Sequence, residues 1–390
     1  MSKLRTWLVK WGQGTFMMLL PLLVSLILMG IILSSLGKDA GAALERFLSG
    51  ALGTPNARVD VIMLAVPMLL CASGLLLTYT AGLWNIGVEG QVTMGAIFAT
   101  IIARSITQED TSPFIVPAEL LLAAVGGALW AALAALLRIH AKVNEIFGGV
   151  ALNFISVNIL LWLLNGDWKV GTYPQTADFN TPALLPRLEG TRFSPLGIGL
   201  AVGAWLLVFW ALNHGGKKLV IPGLNRVPVV GPILALGVRL LNFLAPRGTR
   251  WGLQLRAIGR SPRSASLLGV RVNRHILLSM IACGALAGIT GAVQAIFVRG
   301  RLSPGISGGI GFMGVLIVLL VNIRPLWVPL IALFFALVPI GSLKLASSLD
   351  PAVQIDASLG NVFQGVLVLG VLLANGLRER AARKRKENIP

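Results

Sequence analysis

Long apolar runs recur along almost the whole chain, and they constrain its fold more than any other feature. About ten can be marked, on the basis that ~20 apolar residues cross a bilayer. They cover Phe16 to Leu36, Val61 to Thr80, Val92 to Ala103, Ile115 to Leu137 and Ile146 to Leu164 in the first half. The second half gives Leu196 to Leu212, His275 to Phe297, Gly308 to Val321, Leu326 to Leu343 and Leu359 to Ala374. Spans on that scale use roughly half of the chain. What remains is loop, and no interval is long enough for a separate catalytic domain. The expectation is an all-α polytopic membrane helix bundle of about ten transmembrane helices, one transmembrane domain over residues 1–390. Gly37 to Asp60 reads as a mixed outer loop, and Pro67 as a kink in the second span.

Charge supplies the orientation. With the N-terminus inside, most of the 33 lysines and arginines fall in inner segments and most of the 15 acids in outer loops. The inner side keeps Glu145, Glu379 and Glu387, and Glu89 is the only acid placed near the membrane interior. This is the positive-inside bias, so the net charge of +18 needs no nucleic acid to explain it. No basic face interleaved with aromatic residues accompanies that charge. Both termini are expected in the cytoplasm. Cys71 and Cys283 lie in apolar runs as small hydrophobes. His140, His214 and His275 are far apart and lack metal-ligand spacing, so no metal site is expected.

Polar groups at membrane depth mark the candidate route. Gly82 to Gln91, GLWNIGVEGQ, brings Gly82, Gly87 and Gly90 together with Asn85, Glu89 and Gln91. Glycine lets a backbone leave the helix or lets helices approach closely. Amide and ionisable groups there are costly unless they face a cavity or each other. One reading is a broken or re-entrant element lining a route; the other is a helix start at the inner interface with Glu89 solvated. Asn153 and Ser156, three apart on the fifth span, share a face and serve either solute contact or interhelical hydrogen bonding. Asn85, Glu89, Gln91 and Asn153 are the pathway candidates. A second glycine-rich approach to a short span, near Gly308, hints at a duplication of five spans each.

The inner loop over residues 214–275 holds the other candidate site. Within it, Val227 to Leu244 is apolar, broken by Pro228, Pro232 and Gly237, and reads as an inserted interfacial segment. Arg256 to Gly269, RAIGRSPRSASLLG, is polar and basic. Gly259 and Pro262 should break any helix there, and Arg263 to Leu268 can start a short new one. A basic break followed by a short helix at the inner surface suits docking to a partner that supplies energy.

Engines are missing from the chain itself. No GxxxxGK[ST] phosphate loop, HExxH or GxSxG motif is present, so neither ATP hydrolysis by that route nor a familiar hydrolase is expected. The chain reads as a non-enzyme that binds no cofactor. An ion-coupled secondary transporter acting without an ATPase is the alternative, with Glu89 as its coupling group.

Three stretches carry a resemblance: GLWNIGVEGQVTMGAIFA from Gly82, VNEIFGGVALNFI from Val143, and LRAIGRSPRSASLLGV from Leu255, followed by GALAGITGA. Together they resemble permease subunits of bacterial ABC importers of the simple-sugar and nucleoside branch, related to the branched-chain amino acid permeases. The wording is closer to the nucleoside permeases than to those for ribose or galactose. The resemblance implies import of a nucleoside or simple sugar across the bacterial inner membrane by alternating access. It also implies a cytoplasmic ATPase with two nucleotide-binding cassettes that binds the ATP, a second and distinct permease, and an extracytoplasmic binding protein or lipoprotein. On the same basis Leu255 to Gly269 forms the coupling helix, with Arg256, Ala257, Gly259, Arg260, Pro262, Arg263 and Gly269 as coupling residues. The stretch from about Gly215 to Arg247 departs from the family pattern as an insertion.

Overall fold

The computed structural model describes residues 39–212 and 249–347, with single positions at Ile27, Gly30, Ile31, Ser34, Gly365, Leu369, Gly370, Leu373 and Gly376. Expectations for the first and tenth spans, the Val227 to Leu244 segment and the 215–247 insertion therefore lie wholly or largely outside the described residues. These contain eleven α-helices and no strand. They are α1 (Ala40–Leu52), α2 (Pro55–Thr80), α3 (Val88–Ala103), α4 (Ile115–His140), α5 (Glu145–Asn165) and α6 (Pro195–Leu212). After residue 249 come α7 (Arg250–Arg260), α8 (Pro262–Leu267), α9 (Val272–Val293), α10 (Ile310–Leu320) and α11 (Val328–Ser347). Six helical stretches are long and apolar enough to cross a membrane, and α3 and α10 are shorter apolar helices. The chain is a polytopic helical membrane protein.

The described helices belong to two compact units, whose boundaries fall within α2, near the end of α10, after Asn322 and within α11. In the smaller unit, α1 occupies what reads from sequence as an outer loop. Its start is fixed by Asp39, whose carboxylate accepts from the amides of Gly41 (2.8 Å) and Ala42 (3.3 Å). Phe47 is buried, and a side chain at Gly341 of α11 would run into its ring. Charged Glu45 and Arg46 on the exposed side of α1 hide this helix from a hydropathy reading.

In the larger unit the core is α3, α4 and α9, packed through glycine and alanine. A side chain at Gly95 of α3 would strike Gly288, and one at Gly127 of α4 would strike the Gly284 carbonyl and Gly288. One at Gly291 would strike the Val92 carbonyl. Lipid tails are as apolar as leucine, so helices in a bilayer associate through close packing, which small residues permit. The GALAGITGA run is this contact surface. At one end, Arg138 pairs with Glu145 across the turn between α4 and α5, and Asn144 caps α5 through the Ile146 amide (2.8 Å). Pro67 lies inside α2, which continues through it.

Candidate translocation and coupling sites

Helix α2 stops at Thr80, Gly82 takes φ +74°, and the chain stays irregular until α3 begins at Val88. Residues 81–87 are non-helical and a helix does start within the interval, but Glu89 is buried and not solvated, and protein groups hold the polar side chains. Asn85 and Gln91, each 1% exposed, form a reciprocal amide pair at 3.1 and 3.0 Å. Asn85 also donates to Cys283 Sγ of α9 at 3.2 Å. Asn153 of α5 accepts from the Gly90 amide (2.8 Å) and donates to the Ile86 carbonyl (3.0 Å). Asn153 and Ser156 both face Gly90, where any side chain would meet them and Trp130. Each amide finds partners, as buried polar groups require.

Glu89 reaches a different element. Its carboxylate accepts from the amides of Gly309 (3.0 Å) and Phe312 (3.3 Å), and from Gly311 and the Ser307 hydroxyl. It therefore caps α10, satisfying donors that a helix start leaves unpaired and placing negative charge at the positive end of the helix dipole. The two glycine-rich approaches, near Gly87 and near Gly308, meet through this one side chain.

The level of that meeting follows from helix geometry. Gly95, Gly127 and Gly288 touch near the middles of α3 and α4, which fixes the centre of the bundle. Glu89 and Gln294 each stand six residues from that level, ~9 Å along a helix, on opposite sides. The Gly308–Gly309 turn contacts both: Glu89 bonds to Gly309, and a Cβ on Gly308 would lie 3.8 Å from Gln294 Nε2. The stretch from Arg299 to Gly311 thus leads from one end of α9 past Gln294 to the first turn of α3, where Gly311 lies against the Glu89 backbone and α10 begins. Gly305, Gly308 and Gly309 all have positive φ, with open space beside Gly305 and Gly309. Pro304, Gly305 and Gly308 are exposed. Non-helical backbone at this depth is tolerated where protein buries it or where it lines a water-filled cavity.

The far end of this stretch is tied to the long loop of residues 165–195. Thr176 and Leu302 exchange two bonds of 3.0 Å, and the Phe179 amide donates to the Gly300 carbonyl at 2.8 Å. Arg301 pairs with Asp178 at 2.8 Å, and the Leu185 amide donates to the Ile296 carbonyl at 3.1 Å. Gln294 to Arg299 is a π-helical turn.

The coupling candidates lie on an elbow formed by α7 and α8. Gly259 does not break α7, which runs on to Arg260; its lack of a side chain lets it lie against the Thr80 carbonyl and Gly82. The break comes at Ser261, whose hydroxyl caps α8 through the Ser264 amide (3.2 Å), with Pro262 as first residue. Gly269, at φ +80°, closes α8. Arg256 points back, donating to the Leu212 carbonyl at 3.1 Å. Burial, and then the neighbouring Arg260, lower its pKa from the ordinary arginine value. Ala257 is half-buried, while Arg260, Pro262, Arg263 and Gly269 are exposed. His275 of α9 braces the elbow through Gln254 at 2.9 Å. Gly259 against Gly82 joins the elbow directly to the broken element.

Several residues escape the sequence reading. Leu267 and Leu268, 84% and 80% exposed, form the tip of the elbow. Gln294 is buried inside an apparently plain apolar run, with its carbonyl oxygen unpartnered. Glu119 of α4 is fully buried with neither oxygen hydrogen-bonded, so Glu89 is not the only acid inside the bundle. The legible signal for Gln294 and Glu119 is a polar residue interrupting an apolar run.

Comparison with known proteins agrees with this architecture. Residues 57–372 match the family described as "Branched-chain amino acid transport system / permease component". A glucose ABC transporter permease of Haloferax volcanii is 27% identical over 357 residues, covering 90% of this chain and 85% of its own length. Two nucleoside ABC transporter permeases of Lactococcus lactis are each 23% identical. One covers 71% of this chain and 79% of itself, the other 83% and 82%. With its family matched over most of its length, the chain belongs to the permease components related to branched-chain amino acid transport systems.

Proposed function

We propose that this chain is the membrane-spanning permease of an ABC importer that carries a sugar or a nucleoside inward, and that a separate ATPase drives it. The observation that carries the reading is the elbow. Two adjacent leucines and two arginines are presented at its tip, and its other side lies against the Thr80 to Gly82 break. A push on α8 passes through α7 and Gly259 to the irregular segment, and through Glu89 to α10. Alternating access follows if the Glu89 cap and the Asn153 bonds hold in one state and shift in the other. Asn85, Glu89, Gln91 and Asn153 then serve the route by positioning its broken elements. Arg260, Arg263 and Gly269 belong to the docking tip, while Arg256, Ala257 and Gly259 transmit. Pro262 sets the bend.

The permease family and the named relatives support three partners: a cytoplasmic ATPase with two cassettes, an extracytoplasmic binding protein and a second permease. Two distinct nucleoside permeases of one organism resemble this chain, which favours a distinct second subunit. Helix α5 offers the face for it, since Phe147, Phe154 and Trp162 are strongly exposed around Asn158. The binding protein docks on the loop of residues 165–195, with both chain ends in the cytoplasm and the bundle in the cytoplasmic membrane. An ion-coupled carrier finds less support, because an external push has a built point of application.

The test is a mild-detergent pull-down of the tagged chain from its native membranes. An ATPase with two phosphate loops and a second permease should co-purify, and Arg260→Glu with Arg263→Glu should remove the ATPase while leaving the chain inserted. Recovery of the wild-type chain alone, stable and homogeneous, would overturn the importer reading.

A further inference from the structure

Gln294 and the Gly305–Gly309 turn beside it lie between the bundle's centre and the end of α9, and the protein does not satisfy the Gln294 amide. Gln294 is only 4% exposed, and its Oε1 has no hydrogen-bond partner. Leaving a buried amide oxygen unpaired costs roughly 1–3 kcal/mol, so an unpaired one at a functional level calls for a ligand. The residue opens a π-helical turn, an irregularity frequent at functional sites. Its Nε2 faces Gly308, whose exposed backbone belongs to the turn. Pro304 and Gly305 expose more of that backbone, with nothing beside the Gly305 and Gly309 positions. Ser307 and the amides of Gly309, Gly311 and Phe312 are committed to Glu89. Beside the turn, then, are an unsatisfied buried amide acceptor, unfilled space and a carboxylate.

We infer that Gln294 and the Gly305–Gly309 turn form the solute contact of the route, and that it takes a neutral, hydroxyl-bearing solute. This rests on the permease reading. The unpaired oxygen asks for a donor, which a sugar or ribose hydroxyl supplies. Positive-φ glycines keep side chains out of the space, and the exposed backbone adds weak, sequence-independent hydrogen bonds suited to passage rather than tight retention. Glu89, bonded to the same turn, repels phosphorylated solutes, so nucleotides and sugar phosphates are excluded.

Cysteine accessibility tests this, because both native cysteines, Cys71 and Cys283, are buried. In the assembled importer in membrane vesicles, Ser303→Cys and Pro304→Cys should react with a charged, water-soluble thiol reagent. Uridine or glucose should slow that reaction about tenfold, while uridine monophosphate and glucose 6-phosphate leave it unchanged. Adding Gln294→Leu, which removes the orphan oxygen at similar volume, should abolish the protection without lowering the amount of folded protein. Reaction only with a lipid-soluble maleimide would place the turn against lipid and overturn the site. Labelling that none of the four solutes alters would overturn it too, as would protection that survives Gln294→Leu. Co-purification of the ATPase, measured on the same vesicles, separates these failures from failure of the permease reading.

Discussion

Helices α4 and α5 are neighbours in sequence and both long enough to span, yet their exposed faces differ in chemistry and width. On α4 the exposed large side chains form one narrow stripe of Leu121, Val125, Leu129, Leu133 and Leu136, all aliphatic. Its buried face is alanine and glycine from Ala123 to Ala135, with Ile115, Val116, Glu119 and Leu120 buried in the first two turns. On α5 the buried residues make the narrow stripe: Gly148, Gly149, Leu152, Ser156, Leu160 and Leu164. Its wide exposed side mixes Phe147, Phe154 and Trp162 with Asn158 and Asn165. An aliphatic stripe fits acyl chains. Amides at membrane depth, flanked by large aromatics, are expensive against lipid and useful against protein. On the proposed reading, α4 is the side of the bundle that faces lipid and α5 the side that a second subunit would cover.

The largest effect should come from breaking the buried face of α4. Gly127→Leu would drive a side chain into the Gly284 carbonyl and the Gly288 backbone, which cannot yield without separating α4 from α9. A loss exceeding about 4 kcal/mol is expected from such overpacking, seen as the absence of a sharp thermal transition in detergent. A well-folded variant would show that α4 is not locked as described.

On the exposed side of α5 the same probe should leave the chain folded and its assembly damaged. Phe154→Ala with Trp162→Ala removes two exposed aromatic anchors, and such anchors are worth ~2 kcal/mol or more each when they are hot spots. Association with the second permease should weaken about thirtyfold if one of the two is a hot spot and about a thousandfold if both are, with the thermal transition of the isolated chain unmoved. Leu121→Ala with Leu129→Ala on α4 should change neither quantity. Equal losses from the two pairs would dissolve the distinction between the faces.

The sequence discloses one side of each contact more readily than its partner. The small-residue run of α9 and the odd chemistry of Gly82 to Gln91 are local patterns, and both are legible. Glu89 stands out as an acid among apolar residues, but its partner amides are more than two hundred positions away, and nothing local announces them. Gly259 reads as a breaker because propensity says so; the tertiary approach to Thr80 overrides it. Leu267 and Leu268 look like ordinary helix residues until their exposure is seen. Counting spans along the sequence leaves Arg299 to Gly311 on the outer side. That its end reaches the first turn of α3 follows only once Gly309 is bonded to Glu89.

Asn158 provides the smallest and most discriminating test of the comparison. Its Nδ2 donates to the Phe154 carbonyl of its own helix at 2.8 Å, so the side chain is not orphaned in the isolated chain. It lies in a groove with Phe154, Ile155, Ile159 and Trp162. Hydrogen bonds between membrane helices average only ~0.6 kcal/mol and reach about 1.7, because the separated state also finds partners, as Asn158 does here. Asn158→Leu should therefore weaken association with the second permease about threefold to tenfold, with no loss of thermal stability. If the groove faced lipid instead, the same substitution would leave association unchanged. Intact assembly would therefore assign α5 to lipid, and a fall in assembly assigns it to the partner.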